Sequence, residues 1–258
     1  MTANEIMTDI IGEDYLAENG SWTADTCKFG NAERSVKKIG VCLTATPKVL
    51  ESAKEWGADL LIVHEPTFYT HNDKKLELPI TKLKEKAVEQ CGAVIFRYHD
   101  SMHFRKWDRV SKAFLDRLGW RGEFDGALTY THDSDISVAE AGRQIKEVFS
   151  IPQIKLVGRT DISARKIILL LGQRGEGDFD AFMADDEARL AVCGEVCEWR
   201  CCEYIRDAAQ FGKEKSLLIM GHADSEKFAM LALATEIDGK YDGAAARYFD
   251  CGELCSYI

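Results

Sequence analysis

The stretch Gly57-Ala58-Asp59-Leu60-Leu61-Ile62-Val63-His64-Glu65-Pro66 decides the fold. Residues 58–63 are mostly apolar and show no alternation with polar side chains. That pattern belongs to a strand buried on both faces, hence to a parallel sheet covered by helices. The run then ends abruptly in an imidazole, a carboxylate and a proline. Working outward, residues 36–43 read as a strand and residues 47–56 as a helix with Pro47 in its first turn. Residues 83–90 have helical character and end at Cys91-Gly92, residues 93–97 form the next strand, and residues 104–118 a helix stopped by Gly119.

The same rhythm returns further along. Residues 166–171 read as a strand, a short helix starts at Phe179, and residues 188–192 are a strand. Residues 197–211 read as a helix closed by Gly212, residues 217–220 as a strand and residues 226–237 as a helix. Between the halves lies residues 126–165, helical over 138–149 before Pro152. Strands and helices alternating in this way predict an α/β fold of two lobes with mainly parallel sheets. The predicted lobes are 1–125 and 126–258, with discontinuous lobes left open. No segment is of low complexity and no period of 20 to 50 residues repeats.

Open α/β sheets bind ligands beyond the carboxyl ends of their strands. His64 and Glu65 follow the first diagnostic strand, and His99, Asp100 and His103 follow residues 93–97. His222 follows Gly221, with Glu226 four residues later. Four of the six histidines therefore sit at strand ends, and the expected site is a crevice between the lobes. Imidazole with carboxylate suits zinc, iron, manganese, nickel or cobalt rather than magnesium or calcium. So many ligands exceed what one four-coordinate ion takes and point to two ions sharing carboxylates, a device for activating water. His71 and His132 lie in polar loop sequence and read as solvated. The acidic run Asp178, Asp180, Asp185, Asp186, Glu187 reads as an exposed face.

Composition bounds the alternatives. The chain has 258 residues, 46% of them apolar, with 33 Lys and Arg against 43 Asp and Glu, a formal net charge of −10. Nucleic-acid binding rests on cations neutralising phosphates, so no nucleic-acid partner is expected. No apolar run approaches the roughly 20 residues of a membrane span. Met1-Thr2-Ala3-Asn4-Glu5-Ile6 lacks the basic start and apolar core of a secretory signal, so a soluble, cytoplasmic protein is expected. Nine cysteines in such a chain read as reduced thiols. Cys193, Cys197 and Cys201 would share a helical face, and Cys251 and Cys255 form a second pair. A structural zinc is open there, against the plainer reading of small buried residues. Gln173-Arg174-Gly175-Glu176-Gly177 is a glycine-rich turn without the Walker pattern, and no G-x-S-x-G elbow occurs.

Several of these pieces together resemble the NIF-three-like family, ring-forming hexamers with a dinuclear metal site, often described as GTP cyclohydrolase I type 2-like. The resemblance rests on Ala45-Thr46-Pro47-Lys48-Val49-Leu50-Glu51-Ser52-Ala53, on residues 57–66 and on Gly221-His222-Ala223-Asp224-Ser225-Glu226. Cys193-Gly194-Glu195-Val196-Cys197-Glu198 is similar to the family's Gly-Glu-Val-Ser-Glu segment. It implies metal ligands at His64, Glu65, His103, His222 and Glu226, two divalent transition-metal ions and a homohexamer. Two positions depart from the family pattern. Glu65 stands in place of a histidine (His-His-Pro in the family), and His103 stands in place of the aspartate of His-Thr-Asn-x-Asp. The inventory of three imidazoles and two carboxylates survives the exchange. The family's Trp-Asp-Asn-x-Gly-Leu segment is not recognisable around residues 22–30, and Thr44 stands where an aspartate is common.

The function this implies is a metal-dependent hydrolase acting on a small molecule, with a purine nucleotide as one candidate substrate. Glu195 or Glu198 would shuttle protons if the helix near Cys197 faces the site. Both read equally as exposed carboxylates near a helix start. A non-catalytic metal-binding scaffold or metal-delivery protein is the alternative, and an interaction module with a decayed site is a third.

Overall fold

A computed structural model describes residues 1–256. The chain divides into two compact units: Met1–Arg105 together with the segment from Ala229 onward, and Lys106–Phe228. The first contains α1 (Ala3–Ile11), α2 (Glu13–Asn19), β1 (Cys27–Phe29), β2 (Lys38–Cys42), α3 (Pro47–Trp56), β3 (Leu60–Val63), α4 (Pro79–Cys91), β4 (Val94–Arg97) and α5 (Asp100–Phe104). The second contains α6 (Arg109–Leu118), β5 (Gly122–Phe124), β6 (Thr129–Ser137), α7 (Val138–Val148), β7 (Lys155–Gly158), β8 (Ser163–Leu170), α8 (Glu176–Ala184) and β9 (Leu190–Cys193). A π-helical turn (Glu198–Cys202), α9 (Glu203–Gln210) and β10 (Ser216–Ile219) complete it. The boundary falls within α10 (His222–Ile237), after which β11 (Ala245–Tyr248) closes the first unit's sheet.

The first sheet has the order β1-β4-β3-β2-β11. β4, β3, β2 and β11 run parallel, and only β1 is antiparallel. β3 is buried along its whole length, as its unbroken apolar run requires. α3 begins where the sequence says it should: the Thr46 hydroxyl accepts the Val49 N–H and Pro47 occupies the first turn, so two of the helix's orphan donors cost nothing. Its Val49, Leu50 and Ala53 pack with Leu61, Val63, Val88 and Ile95 in the unit's core.

The second sheet corrects the expectation of mainly parallel strands. Its order is β5-β6-β8-β9-β10-β7. β8, β9 and β10 are parallel, whereas β5, β6 and β7 join antiparallel. β6 includes His132, expected in polar loop sequence; its Thr129–Ser137 stretch carries little apolar alternation, and the register shifts between Thr131 and Ile136. Against expected lobes of 1–125 and 126–258, with discontinuity left open, the compact units change over at Arg105 and again at Phe228, and β11 pairs in parallel with β2. A single helix over 104–118 is likewise not formed. Only its Arg109–Leu118 part forms, as α6, capped by the Asp108 carboxylate accepting the Ser111 N–H at 2.7 Å; α5 ends at Phe104. Among the described residues, no helix is long and apolar enough to cross a membrane.

Candidate functional site

In the first unit, β3 and β4 lie side by side, so the residues just past their carboxyl ends are neighbours. His64 is buried, and its Nδ1 lies 3.0 Å from the Tyr98 carbonyl oxygen. A carbonyl only accepts, so Nδ1 carries the proton and Nε2 the lone pair. Past β4, His99 Nδ1 lies 2.7 Å from Asp100 Oδ1, and that carboxylate fixes the ring in the same sense. His103 comes from α5, with its ring centroid 5.4 Å from that of His64 and 5.1 Å from that of His99. Ligand atoms of His64, His99 and His103 lie within 4.8 Å of one another, and a Glu65 oxygen is equally close to His64.

The support beneath this group was not read from the sequence. Asp25 is buried, and its carboxylate accepts the N–H groups of His99 (2.5 Å), Asp100 (2.9 Å) and Ser101 (2.7 Å). It thereby caps α5 from a distant part of the chain. Asp100 Oδ2 accepts the Ala24 N–H at 2.6 Å and the Thr23 hydroxyl at 3.1 Å. Burial works to raise the Asp100 carboxyl, but the hydrogen bonds from His99, Ala24 and Thr23 outweigh it and hold the group well below the usual carboxylate range. Burial is also the main reason that His99 protonates only at about 4; Asp100 opposes it and the His64 and His103 rings reinforce it. Arg97 is buried under the loop after β3, donating to the carbonyls of His64 (2.9 Å) and His71. His71 is exposed as the sequence suggests, yet it meets His99 and Asp100 as a second possible ligand group. His132 is exposed and far from this role, its Nδ1 beside Ser134 O at 2.7 Å.

In the second unit the site is built on three glycines at the ends of neighbouring parallel strands. Gly172 follows β8, Gly194 follows β9 and Gly221 follows β10. Gly172 has φ +69°, and a Cβ there would lie 1.9 Å from Glu226 Oε1. At Gly194 a Cβ would lie 2.5 Å from the Gly172 carbonyl oxygen. The Gly172 N–H donates to the Ser225 hydroxyl at 2.9 Å, which in turn donates to the His222 carbonyl at 2.7 Å. This ties the start of α10 to the strand ends and drops Glu226, 3% exposed, onto them. His222 then stands between two carboxylates: Nδ1 is 2.9 Å from Glu195 Oε1 and Nε2 is 3.1 Å from Glu226 Oε2.

These donors fit a divalent transition-metal ion. A neutral imidazole carries one N–H, so one of the His222 contacts sets lone pairs face to face unless a proton or a cation lies between them. Bonds of about 2.1 Å meeting between a right angle and the tetrahedral angle put two ligand atoms about 3.0–3.4 Å apart, which matches the His222–Glu226 separation. Glu195 belongs with His222, whereas Glu198 makes an exposed ion pair with Lys155 at 3.0 Å. The helix expected from Cys197 opens as a π-helical turn, and it sends Cys201 into the core with Cys193. Among the described residues no cysteine joins a group of three or more possible ligands. Glu195 also lines a cavity of about 260 Å³ with Arg174, Cys197 and Arg200.

Two mixed sheets in one α/β chain, with imidazoles and carboxylates gathered past strand ends, define an α/β protein with candidate metal sites. The chain belongs to the Duf34/NIF3 (NGG1p interacting factor 3) family, whose model matches residues 10–248. The family resemblance read from the motifs is thus borne out. The fold is similar to that of a Staphylococcus aureus protein, SA1388 (TM-score 0.77, 13% identity, 100% of this chain and 99% of that one). It is also similar to a Bacillus cereus protein related to NIF3 (0.73, 13%, 100% and 99%) and to reduced HcgD from Methanocaldococcus jannaschii (0.72, 15%, 97% and 97%). No curated protein matches the chain.

Proposed function

We propose that this chain is a metal-dependent hydrolase of small molecules that holds two divalent transition-metal ions on His64, Glu65, His103, His222 and Glu226. The observation that carries the reading is the ordering of the imidazoles. His64 and His99 each set Nδ1 against a fixed acceptor, which makes Nε2 the lone-pair nitrogen, the tautomer that metal-binding histidines use. His99 therefore joins the ligand group. Bound ions of this kind supply an activated water and neutralise developing negative charge. The chain's own part is to orient and to move protons. Glu195 holds His222 through Nδ1 and faces the adjoining cavity, where it is placed to pass a proton to a leaving group. Arg174 and Arg200 line that cavity together with Glu176 and Glu195, and each arginine is ion-paired, to Asp108 and Asp180 respectively. A purine nucleotide, turned over in the manner of a GTP cyclohydrolase, is the substrate class that the resemblance adds.

Metal analysis of natively purified protein tests the reading. About two ions per chain are expected, with loss in His64→Ala and in His222→Ala. Metal well below one per chain, unchanged by the substitutions, overturns the proposal. Metal without turnover of GTP or related nucleotides removes the nucleotide reading. A metal-delivery role is the second reading, favoured by exposed His71 beside His99 and Asp100, which offers a path for an ion to pass outward. Transfer of metal to a chelating acceptor that is slowed in His71→Ala would support it. Sedimentation at six times the mass of one chain is expected from the hexamer that the resemblance implies.

A further inference from the structure

Away from the histidines, β11 returns the chain beside β2, with Tyr248 opposite Val41 in a parallel ladder. This register brings Cys251, three residues beyond Tyr248, to Cys42 at the end of β2. Cys42 is fully buried in the first unit's core, and Cys251 packs against that core while remaining partly exposed. The Thr44 N–H donates to Cys251 Sγ at 3.1 Å, and the Thr44 carbonyl oxygen lies 3.1 Å from the same sulfur. The Cys42 thiol lies close enough to interact with the Cys251 sulfur.

We propose that Cys251 and Cys42 form a peroxide-sensitive dithiol, with Cys251 the attacking sulfur and Cys42 the resolving one. The order follows from access and from the hydrogen bonds. Cys251 is the sulfur that a small oxidant reaches; it accepts the Thr44 N–H, which favours thiolate, while as a thiol it donates to the Thr44 carbonyl. The contact with Cys42, with those to Thr44 and Leu43, lowers the Cys251 thiol to about 7 against the opposing effect of burial. Burial raises Cys42 well above the ordinary thiol range and keeps it protonated. The other titratable groups facing the pair are Asp250 and Tyr248 on the same segment and Lys84 and Cys91 of α4.

The chemistry balances with a hydroperoxide as oxidant. Cys251 thiolate attacks one peroxide oxygen, the O–O bond breaks, and hydrogen peroxide leaves hydroxide behind with Cys251 as sulfenic acid. The Cys42 sulfur then attacks the Cys251 sulfur, the S–O bond breaks, and the departing hydroxide takes the Cys42 proton as water. Two electrons have passed from the sulfur pair to the peroxide, and an external dithiol returns them. The arrangement bears on the metal ligands as well, because the Leu43 carbonyl accepts the N–H groups of His64 (3.1 Å) and Glu65 (2.8 Å).

Peptide mapping of the full chain after hydrogen peroxide and denaturing alkylation tests the proposal. The expected result is a Cys42–Cys251 cross-linked peptide, with two fewer of the nine cysteines alkylated, both effects reversed by dithiothreitol. In Cys42→Ser, a dimedone adduct should accumulate on Cys251, since the resolving thiol is gone. Native wild-type protein should alkylate Cys251 with a midpoint near neutral pH, well ahead of exposed Cys255. Oxidation that links Cys251 elsewhere, that leaves it a thiol, or that alkylates it no faster than Cys255 overturns the proposal. The wild-type map and the alkylation profile stand even if the substituted chain folds poorly.

Discussion

Replacing Gly172 by alanine tests the architecture of the second ligand group at its tightest point. The backbone there has φ +69°, and the added Cβ would sit 1.9 Å from Glu226 Oε1 and 2.7 Å from its carboxyl carbon. An alanine in left-handed backbone costs about 1–2 kcal/mol. The carboxylate must also retreat by more than 1 Å to reach ordinary van der Waals distance (about 3.4 Å), and a shift of that size removes the 3.1 Å contact with His222. Glu226 is buried, so its retreat has few places to go. The sum is a loss of about 2–3 kcal/mol, which in a chain of this size lowers the melting temperature by roughly 4–12 °C. Metal content should fall in the same variant, because the ligand pair is broken apart. The control is Gly177→Ala in α8, where a Cβ meets nothing within 4 Å; helix propensity alone makes that change stabilising by up to ~1 kcal/mol. Calorimetry and elemental analysis of both variants decide the matter. A Gly172→Ala protein as stable and as metal-rich as the parent would refute the account of glycine-lined strand ends.

Asp25→Ala should destabilise by about 3 kcal/mol or more in urea unfolding, since it strands the N–H donors of His99, Asp100 and Ser101 together; Asp25→Asn, keeping one acceptor, should recover part of the loss. The pH dependence of metal-free protein has a definite sign. His99 takes up its proton at about 4 in the fold, below its ordinary 6.5, so the unfolded chain binds more protons between those values. Stability is therefore full above pH 6.5 and falls as the pH drops toward 4, by at most about 1.4 kcal/mol per pH unit. Urea midpoints measured across that window should flatten in His99→Gln; an unchanged slope would remove His99 as the cause.

What the sequence made legible and what it hid divide along physical lines. β3, α3 and the strand-end position of His64 and Glu65 could be read because their signals are local: a doubly buried strand needs an unbroken apolar run, and Thr46-Pro47 announces a helix start. The i, i+4 spacing of His222 and Glu226 was equally local. Asp25 carried no such signal. Its partners lie more than seventy residues away, and a lone aspartate before a short strand looks like any turn residue. The capping box Thr2–Glu5 of α1 was readable and went unread. Between Glu195 and Glu198 the sequence offered no choice; the π-helical turn sets Glu198 in an exposed ion pair with Lys155.

The two departures from the family pattern make sense as one electrostatic exchange within the first unit. The start of α5 already holds the Asp25 and Asp100 carboxylates, both buried and both committed to N–H donors. A third carboxylate at position 103, one turn along the same short helix, would add negative charge to a desolvated cluster, which costs more the fewer cations are near. An imidazole at His103 avoids that crowding and still offers a ligand nitrogen. In the proposed site the carboxylate is then Glu65, past the end of β3; buried Arg97 feels it along with Asp73, Asp100 and Asp25. Seen this way, Glu65 and His103 are a coupled pair. Restoring the family residues one at a time should harm metal binding more than restoring both together.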